Sequence, residues 1–168
     1  MKKLLLSRLL CILLLLTCKY ADGQSSRRDG YVETLTGPRI GVTLVRGESA
    51  KKLRKDLNAV PVVSQFGWQF ERRFFSIEDG PNGVVEFVPL VGGVEQNLFL
   101  PSFRFLMGIR GPKGAEVGIG PNLSLTGTSV VFAVGITSKA GQLYIPFNFA
   151  TVLSNKGLRF SLLIGFNA

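Results

Sequence analysis

From residue 37 onward, apolar and polar residues alternate in short segments, and turn residues separate these segments from one another. An alternation with period two predicts β-strands, because successive side chains of a strand point to opposite faces. We expect eight strands, at about 38–46, 60–76, 83–92, 97–110, 115–125, 129–137, 142–152 and 157–167. Because an even number of strands joined by hairpins can close on itself, the predicted fold class is all-β, an antiparallel up-and-down β-barrel.

One segment between the first two strands has a helical period instead. From Glu48 to Asn58, the apolar residues Ala50, Leu53 and Leu57 fall on one side of a helix. The opposite side is basic and contains Lys51, Lys52, Arg54 and Lys55. Two interpretations of this short helix remain open. Its basic side could contact anionic lipid headgroups, or the helix could be a solvated connector whose apolar stripe covers a barrel mouth.

Each predicted strand has one apolar face and one polar face. The polar face is rich in glycine, serine and amides, and its charged members are Glu71, Arg73, Glu86, Arg104, Arg110, Glu116 and Arg159. A strand surface in contact with water usually displays Lys, Asp and Thr, whereas the polar lumen of a membrane barrel has to pack its side chains closely. The composition therefore favours a barrel with the polar face inside and the apolar face toward lipid.

Charges inside a narrow barrel are costly unless they are paired. We expect Glu71, Glu86 and Glu116 to be buried partners of Arg73, Arg104 and Arg110, in one hydrogen-bonded network that also includes Arg159. The alternative is an acid/base pair formed by two of these carboxylates. An eight-stranded barrel has room for little more than such side chains, so the network should plug the lumen and general porin activity is not expected.

The first 23 residues have the three parts of a secretory signal peptide. Lys2, Lys3 and Arg8 precede an apolar core at 9–16, and a small-x-small cleavage site follows at 21–23. The predicted organisation is a signal peptide at 1–23, a flexible segment at 24–36 and a barrel domain at 37–168. A retained membrane anchor and a lipoprotein with lipid on Cys18 are the two alternatives. Each version predicts an exported protein.

The chain resembles the small eight-stranded outer-membrane barrels of Gram-negative bacteria, such as the OmpA transmembrane domain and OmpX. The most specific local match is Asn155-x-Gly157-x-x-Phe160-x-Leu162, which is similar to the C-terminal signal that the barrel assembly machinery recognises. The segments at 64–71 and 120–124 resemble those of a family of exported proteins, and this second resemblance implies no activity. The first resemblance implies an outer-membrane location, contact with lipid or lipopolysaccharide, and assembly by that machinery.

Several chemistries have no support in the sequence. There is no histidine, and both cysteines, Cys11 and Cys18, fall in the predicted leader, so neither a cofactor nor a metal is expected. The formal net charge of +9 falls to +6 without the predicted leader, a surplus that suits anionic lipid, while the dispersed basic residues do not predict binding to nucleic acid. The sequence predicts a non-enzymatic envelope protein. The alternative is a soluble periplasmic carrier similar to lipocalins, with an apolar cavity lined by Phe66, Trp68, Phe105 and Phe147.

Overall fold

A computed structural model describes residues 35–167 of the chain. The predicted signal peptide, residues 24–34 of the predicted flexible segment and Ala168 lie outside the described residues. The strands are β1 Gly37–Val45, β2 Val62–Ser76, β3 Asn82–Gly92, β4 Leu100–Arg110, β5 Ala115–Ser124, β6 Gly127–Ala140, β7 Leu143–Ser154 and β8 Gly157–Gly165. One α-helix, α1, spans Glu48–Asp56, and a single turn of 3₁₀ helix spans Val94–Gln96.

The eight strands form a closed antiparallel barrel in which every strand pairs with its neighbours in the sequence. The barrel closes where β1 pairs with β8, with Arg39 opposite Gly165 and Val45 opposite Arg159. Followed once around the barrel, the residue pairs advance by about ten residues, which tilts the strands by about 40° from the barrel axis. The all-β barrel with one short helix after the first strand, predicted from the alternation, is confirmed.

The strand boundaries differ from the prediction by a few residues, for local reasons. The fourth strand begins at Leu100 instead of residue 97, because the 3₁₀ helix precedes it and Asn97 has a left-handed backbone with φ 56°. The last strand ends at Gly165, although Asn167 still forms a single bridge with Tyr144. The flexible segment was predicted to reach residue 36, but Leu35 is buried and the Thr36 hydroxyl accepts a hydrogen bond from the Glu71 amide at 3.1 Å.

The two ends of the barrel differ in their connections. The end where β1 begins and β8 ends is here called the terminal mouth, and it has the short turns at 77–81, 111–114 and 141–142. The opposite end, the helix mouth, has two-residue turns at 125–126 and 155–156 and two longer connections at 46–61 and 93–99. The helix α1 lies in the longest connection. The elaborated end of the barrel is therefore the one opposite the chain's described termini.

The apolar faces of all eight strands point outward. Large apolar side chains with 38–61% of their surface exposed occur on every strand. Across β2, β3 and β4 the outer surface is aromatic, with the Phe87 ring stacked 6.2 Å from Phe70 and 4.7 Å from Phe105. No helix among residues 35–167 is long and apolar enough to cross a membrane. The side chains that alternate with this apolar belt point into the lumen.

The lumen is filled by side chains. Small apolar clusters lie inside it, one formed by Leu106, Val131, Ala150 and Val152 and one by Val88, Leu90 and Leu163. Polar side chains occupy the rest, and the buried ones include Arg39, Gln65, Gln69, Glu71, Glu86, Arg104, Arg110, Glu116 and Asn122. The interior is thus more polar than the outer surface, which is the reverse of the usual order in a water-soluble protein.

Candidate functional site

Four of the predicted lumen residues form one charged group near the terminal mouth, here called the terminal cluster: Glu71, Glu86, Arg110 and Glu116. The Arg110 guanidinium donates to Glu71 at 2.6 and 2.5 Å and to Glu116 at 2.8 and 2.6 Å. Its Nη2 also lies 3.6 Å from Glu86 Oε1. The side chains of these four residues are at most 8% exposed. One guanidinium therefore holds three carboxylates from β2, β3 and β5.

Amide side chains and a second arginine surround this cluster. Gln69 Nε2 donates to Glu71 Oε2 at 3.3 Å, and Asn148 Nδ2 donates to Glu116 Oε1. Arg39 Nε donates to Gln69 Oε1 at 3.0 Å, and Arg39 Nη2 donates to the Leu35 carbonyl at 2.8 Å. Arg39 was not among the lumen residues predicted from the sequence. The alternation along β1 does indicate its direction, because Arg39 precedes Ile40 and Ile40 belongs to the outward face of the strand.

The remaining predicted lumen arginines do not join the terminal cluster. Arg104 donates to Ser161 at 2.7 Å and to Gln65 at 3.2 Å, and Arg159 donates to Ser124 at 3.2 Å and to Ser129 at 3.4 Å. The prediction that Arg104 pairs with a carboxylate was therefore wrong. The pleat places Arg104 in the lumen, but its level along the barrel axis lies away from the three carboxylates. Arg73 is half-buried, two residues beyond Glu71 on β2.

A cavity of about 310 Å³ opens at the helix mouth. Its polar lining belongs to strand residues such as Thr43, Gln65, Ser102 and Arg159, and apolar side chains form its walls. The helix α1 lies at its edge. Leu53 is 7% exposed and packs with Val45 and Ala59. The apolar stripe of the helix thus covers part of the barrel mouth, as the connector interpretation expects.

The basic residues of α1 are exposed, and one of them, Lys52, also lines the edge of the cavity. Lys51, Lys52, Arg54 and Lys55 are all exposed. Lys51 Nζ lies 3.9 Å from Glu48 Oε1, in an ion pair whose side chains are 74% and 68% exposed. Contact of this surface with anionic headgroups stays a prediction, and it is compatible with the packing of Leu53.

The 3₁₀ helix beside the cavity fixes the start of β2. Gln96 Nε2 donates to the Val62 carbonyl at 2.8 Å, and the Ser64 amide donates to Glu95 Oε1 at 2.9 Å. The Ser64 hydroxyl donates to the other carboxylate oxygen of Glu95. This hydroxyl, with the Gln96 side chain, lowers the pKa of Glu95 to about 2. Glu95 thus acts as a charged acceptor for an otherwise free end of β2.

The four aromatic side chains that a lipocalin-like carrier would place in its cavity lie on the outer surface. Phe66, Trp68, Phe105 and Phe147 are 51, 44, 42 and 43% exposed. Within residues 35–167, no group of three or more acidic, Cys or His side chains is placed to hold a metal ion. Comparison of the chain with protein-family models, with curated proteins and with solved structures found no match.

Proposed function

We propose that this chain is a non-enzymatic outer-membrane β-barrel protein with a structural or surface-interaction role in the cell envelope. The observation that carries the proposal is the outward direction of the apolar side chains on all eight strands. Soluble monomeric proteins rarely expose an apolar patch of more than a few hundred Å². A belt that surrounds the whole barrel suits lipid, because the outer face of a membrane barrel is apolar and its lumen is polar.

The dimensions and connections of the barrel support the same proposal. Its strands contain 9 to 15 residues, and a transmembrane strand needs about 9 to 11. Closure leaves no strand edge unpaired, which lipid requires because it cannot satisfy backbone polar groups. Membrane barrels also combine short turns at one end with longer loops at the other. In this proposal the terminal mouth faces the periplasm and the helix mouth faces the outside.

The contents of the lumen favour a closed barrel over a general pore. The terminal cluster spans the lumen from β2 to β5, and small apolar clusters and further polar side chains occupy the lumen beyond it. A soluble carrier is less well supported, since it would need the apolar faces inside and the charged residues outside. The proposed role is therefore one of structure or surface contact, after insertion by the barrel assembly machinery.

The proposed lipid contact at the helix mouth involves α1. Its exposed basic residues would lie at the level of phospholipid or lipopolysaccharide phosphates. A variant with Lys51, Arg54 and Lys55 changed to Gln should lose the stabilisation that anionic lipid gives to the barrel in vesicles. Changing Lys113 and Lys139 to Gln, at the terminal mouth, is the matched control. We expect the α1 variant to be equally stable in neutral and in anionic vesicles. The control variant should still be stabilised by anionic lipid, as the parent chain is.

Cell fractionation tests the proposed location. The protein should remain with outer membranes after washing with high salt and should require detergent for release. On a denaturing gel, the unheated sample should migrate faster than the boiled one, because a closed barrel resists the detergent until it is heated. Recovery among soluble periplasmic proteins, without detergent, would contradict the proposal.

A further inference from the structure

Two guanidinium groups in the lumen below α1 have no acidic partner among the residues that the structure describes. Arg104 is 3% exposed, and Arg159 is half-buried. In the part of the chain that the structure describes, no carboxylate oxygen lies within 4.0 Å of either group. Among residues 35–167, their Nη atoms donate only to hydroxyl and amide oxygens, and the Nε of each group has no hydrogen-bond partner there. This half of the lumen therefore holds two positive charges that no carboxylate of the described barrel neutralises.

The same region presents another unused polar group. Ser102 is 6% exposed and lines the helix-mouth cavity together with Arg159, and its hydroxyl has no hydrogen-bond partner within the described part of the chain. Arg104 stands behind this lining, bound to Gln65, which also faces the cavity. Buried cations are usually paired with an anion. The floor of the cavity thus has the charge and the donors for an anionic group.

The walls of the cavity indicate what this anion is attached to. Beside these polar groups, much of the cavity lining is apolar and is formed by Val45, Leu53, Leu57, Val63, Leu100 and Leu125. A small hydrated anion would leave these side chains in contact with water, whereas an alkyl chain would cover them. At about 310 Å³ the cavity is at the small end of ligand pockets, which run from about 300 to 1,000 Å³. Lys52 and Asp56, both exposed, are the charged residues from α1 that line it.

We propose that the helix mouth binds a short single-chain amphiphile with a carboxylate head, of the class of medium-chain fatty acids. The carboxylate accepts hydrogen bonds from Arg159 and Ser102 on the floor, and Arg104 contributes its charge from behind them. The alkyl chain lies against Leu53 and Leu100, so that α1 forms one side of the site. This site is separate from the outer apolar belt and does not depend on where in the envelope the barrel resides.

Sodium octanoate is a suitable probe for the full chain in maltoside micelles. It should raise the temperature at which the gel mobility changes, in a saturable manner. Octanol tests the apolar chain alone, and inorganic phosphate tests a free anion. Neither should produce the same shift at the same concentration. A shift with octanol as large as that with octanoate overturns the proposal, and so does an equal shift with phosphate.

Matched variants locate the site. Arg159→Gln should weaken the apparent affinity for octanoate about tenfold or more, because a charged hydrogen bond is lost. Arg46→Gln, at the same mouth but outside the cavity lining, should leave it unchanged. If Arg159→Gln does not fold, Lys52→Glu and Lys51→Glu form a second pair on the exposed helix surface, and only Lys52 lines the cavity. In whichever pair folds, the two variants should differ in their affinity for octanoate. Equal affinity in both would contradict the proposed site.

Discussion

Arg110 and Glu71 are joined across the lumen by two hydrogen bonds, from Nη1 to Oε1 at 2.6 Å and from Nη2 to Oε2 at 2.5 Å. Their strands, β4 and β2, are not neighbours, because β3 lies between them. Arg110 also binds Glu116, its register partner on the neighbouring strand β5, so a single side chain links β2 with β5, two strands that do not pair. The pair is fully desolvated, which makes its loss costly.

Arg110→Met should strongly destabilise the barrel. The change leaves three buried carboxylates without their shared cation, and breaking such a pair costs about 3–5 kcal/mol. Arg104→Met is the matched control, since Arg104 is also buried on the inner face of β4 but strands no carboxylate. It should cost less than about 1.5 kcal/mol, as a swap of similar volume does. Urea unfolding followed by Trp68 fluorescence would measure both, and equal losses would contradict the two different environments.

The alternation in the sequence was enough to predict the barrel and the two faces of its strands. Glu71, Glu86, Arg110 and Glu116 were expected in the lumen, and the structure places them there. Alternation depends only on the pleat, which is a local property of the chain. The alternation of apolar and polar residues was less clear on β3, where the inward positions Val84, Val88 and Leu90 are as apolar as the outward ones.

Apart from the contact of Arg110 with carboxylates, the partners within the lumen could not be predicted in the same way. Which residues meet depends on the level of each strand along the barrel axis, and this level follows from strand registers that accumulate around the barrel. Arg104 and Arg110 share a face of β4, yet only Arg110 reaches the carboxylates. The register shift between Arg73 and Phe75 on β2 also changes the faces locally, and no sequence feature indicated it.

Two glycines on the inner face of β5 should differ in their tolerance of a methyl group. A Cβ atom at Gly120 would lie 1.8 Å from the Phe105 carbonyl oxygen, whereas at Gly118 the nearest atom is 3.6 Å away. Gly120→Ala should therefore force β4 and β5 apart, at a cost of about 1–3 kcal/mol. Gly118→Ala should change the stability by no more than about 1 kcal/mol. Heat-modifiability on gels compares the stability of the two variants. A Gly118→Ala variant less stable than Gly120→Ala would contradict this packing.

Leu53→Ala should release α1 from the helix mouth. Leu53 is 7% exposed and packs on Val45 and Ala59, whereas Leu57 in the turn that follows α1 is 48% exposed. Truncation of a buried leucine costs about 2–5 kcal/mol, which exceeds what a helix this short retains by itself. Trypsin should then cleave faster after the four basic residues at 51–55 in the folded protein. Leu57→Ala should leave the cleavage rate near that of the parent chain, and equal acceleration in both variants would refute the packing role of Leu53.

The Glu95 contact should depend on pH in a defined direction. The pKa of Glu95 falls from 4.5 to about 2 in the folded state, so its stabilising effect is complete above about 4.5 and is lost as the pH falls through about 2. Ser64→Ala removes the hydroxyl that is the largest cause of this shift and should raise the pKa. Carbon-detected NMR of the Glu95 carboxyl would measure this pKa in the parent chain and in the variant. Ser49→Ala, at the same mouth, is the control, and an unchanged pKa in the Ser64 variant would rule out the contact.

The direction of the apolar belt can be tested in a chain with Cys11 and Cys18 changed to Ser. Phe105 and Leu106 are consecutive in β4, so one points outward and the other is buried in the lumen. A fluorophore on Phe105→Cys should be quenched by bromine on lipid acyl chains, whereas Leu106→Cys should resist labelling. Lys113→Cys, in an exposed turn at the terminal mouth, should label without such quenching.

The three positions together separate the two candidate environments of the barrel. In lipid, quenching requires both an outward side chain and an acyl chain next to it, and only position 105 has both. In water, position 105 would label readily and acyl-chain bromine would have no effect at any position. That second result, obtained for a folded barrel in the presence of vesicles, would contradict the membrane proposal. It would leave the outward aromatic surface in need of another partner, because a patch of this extent is not stable in water alone.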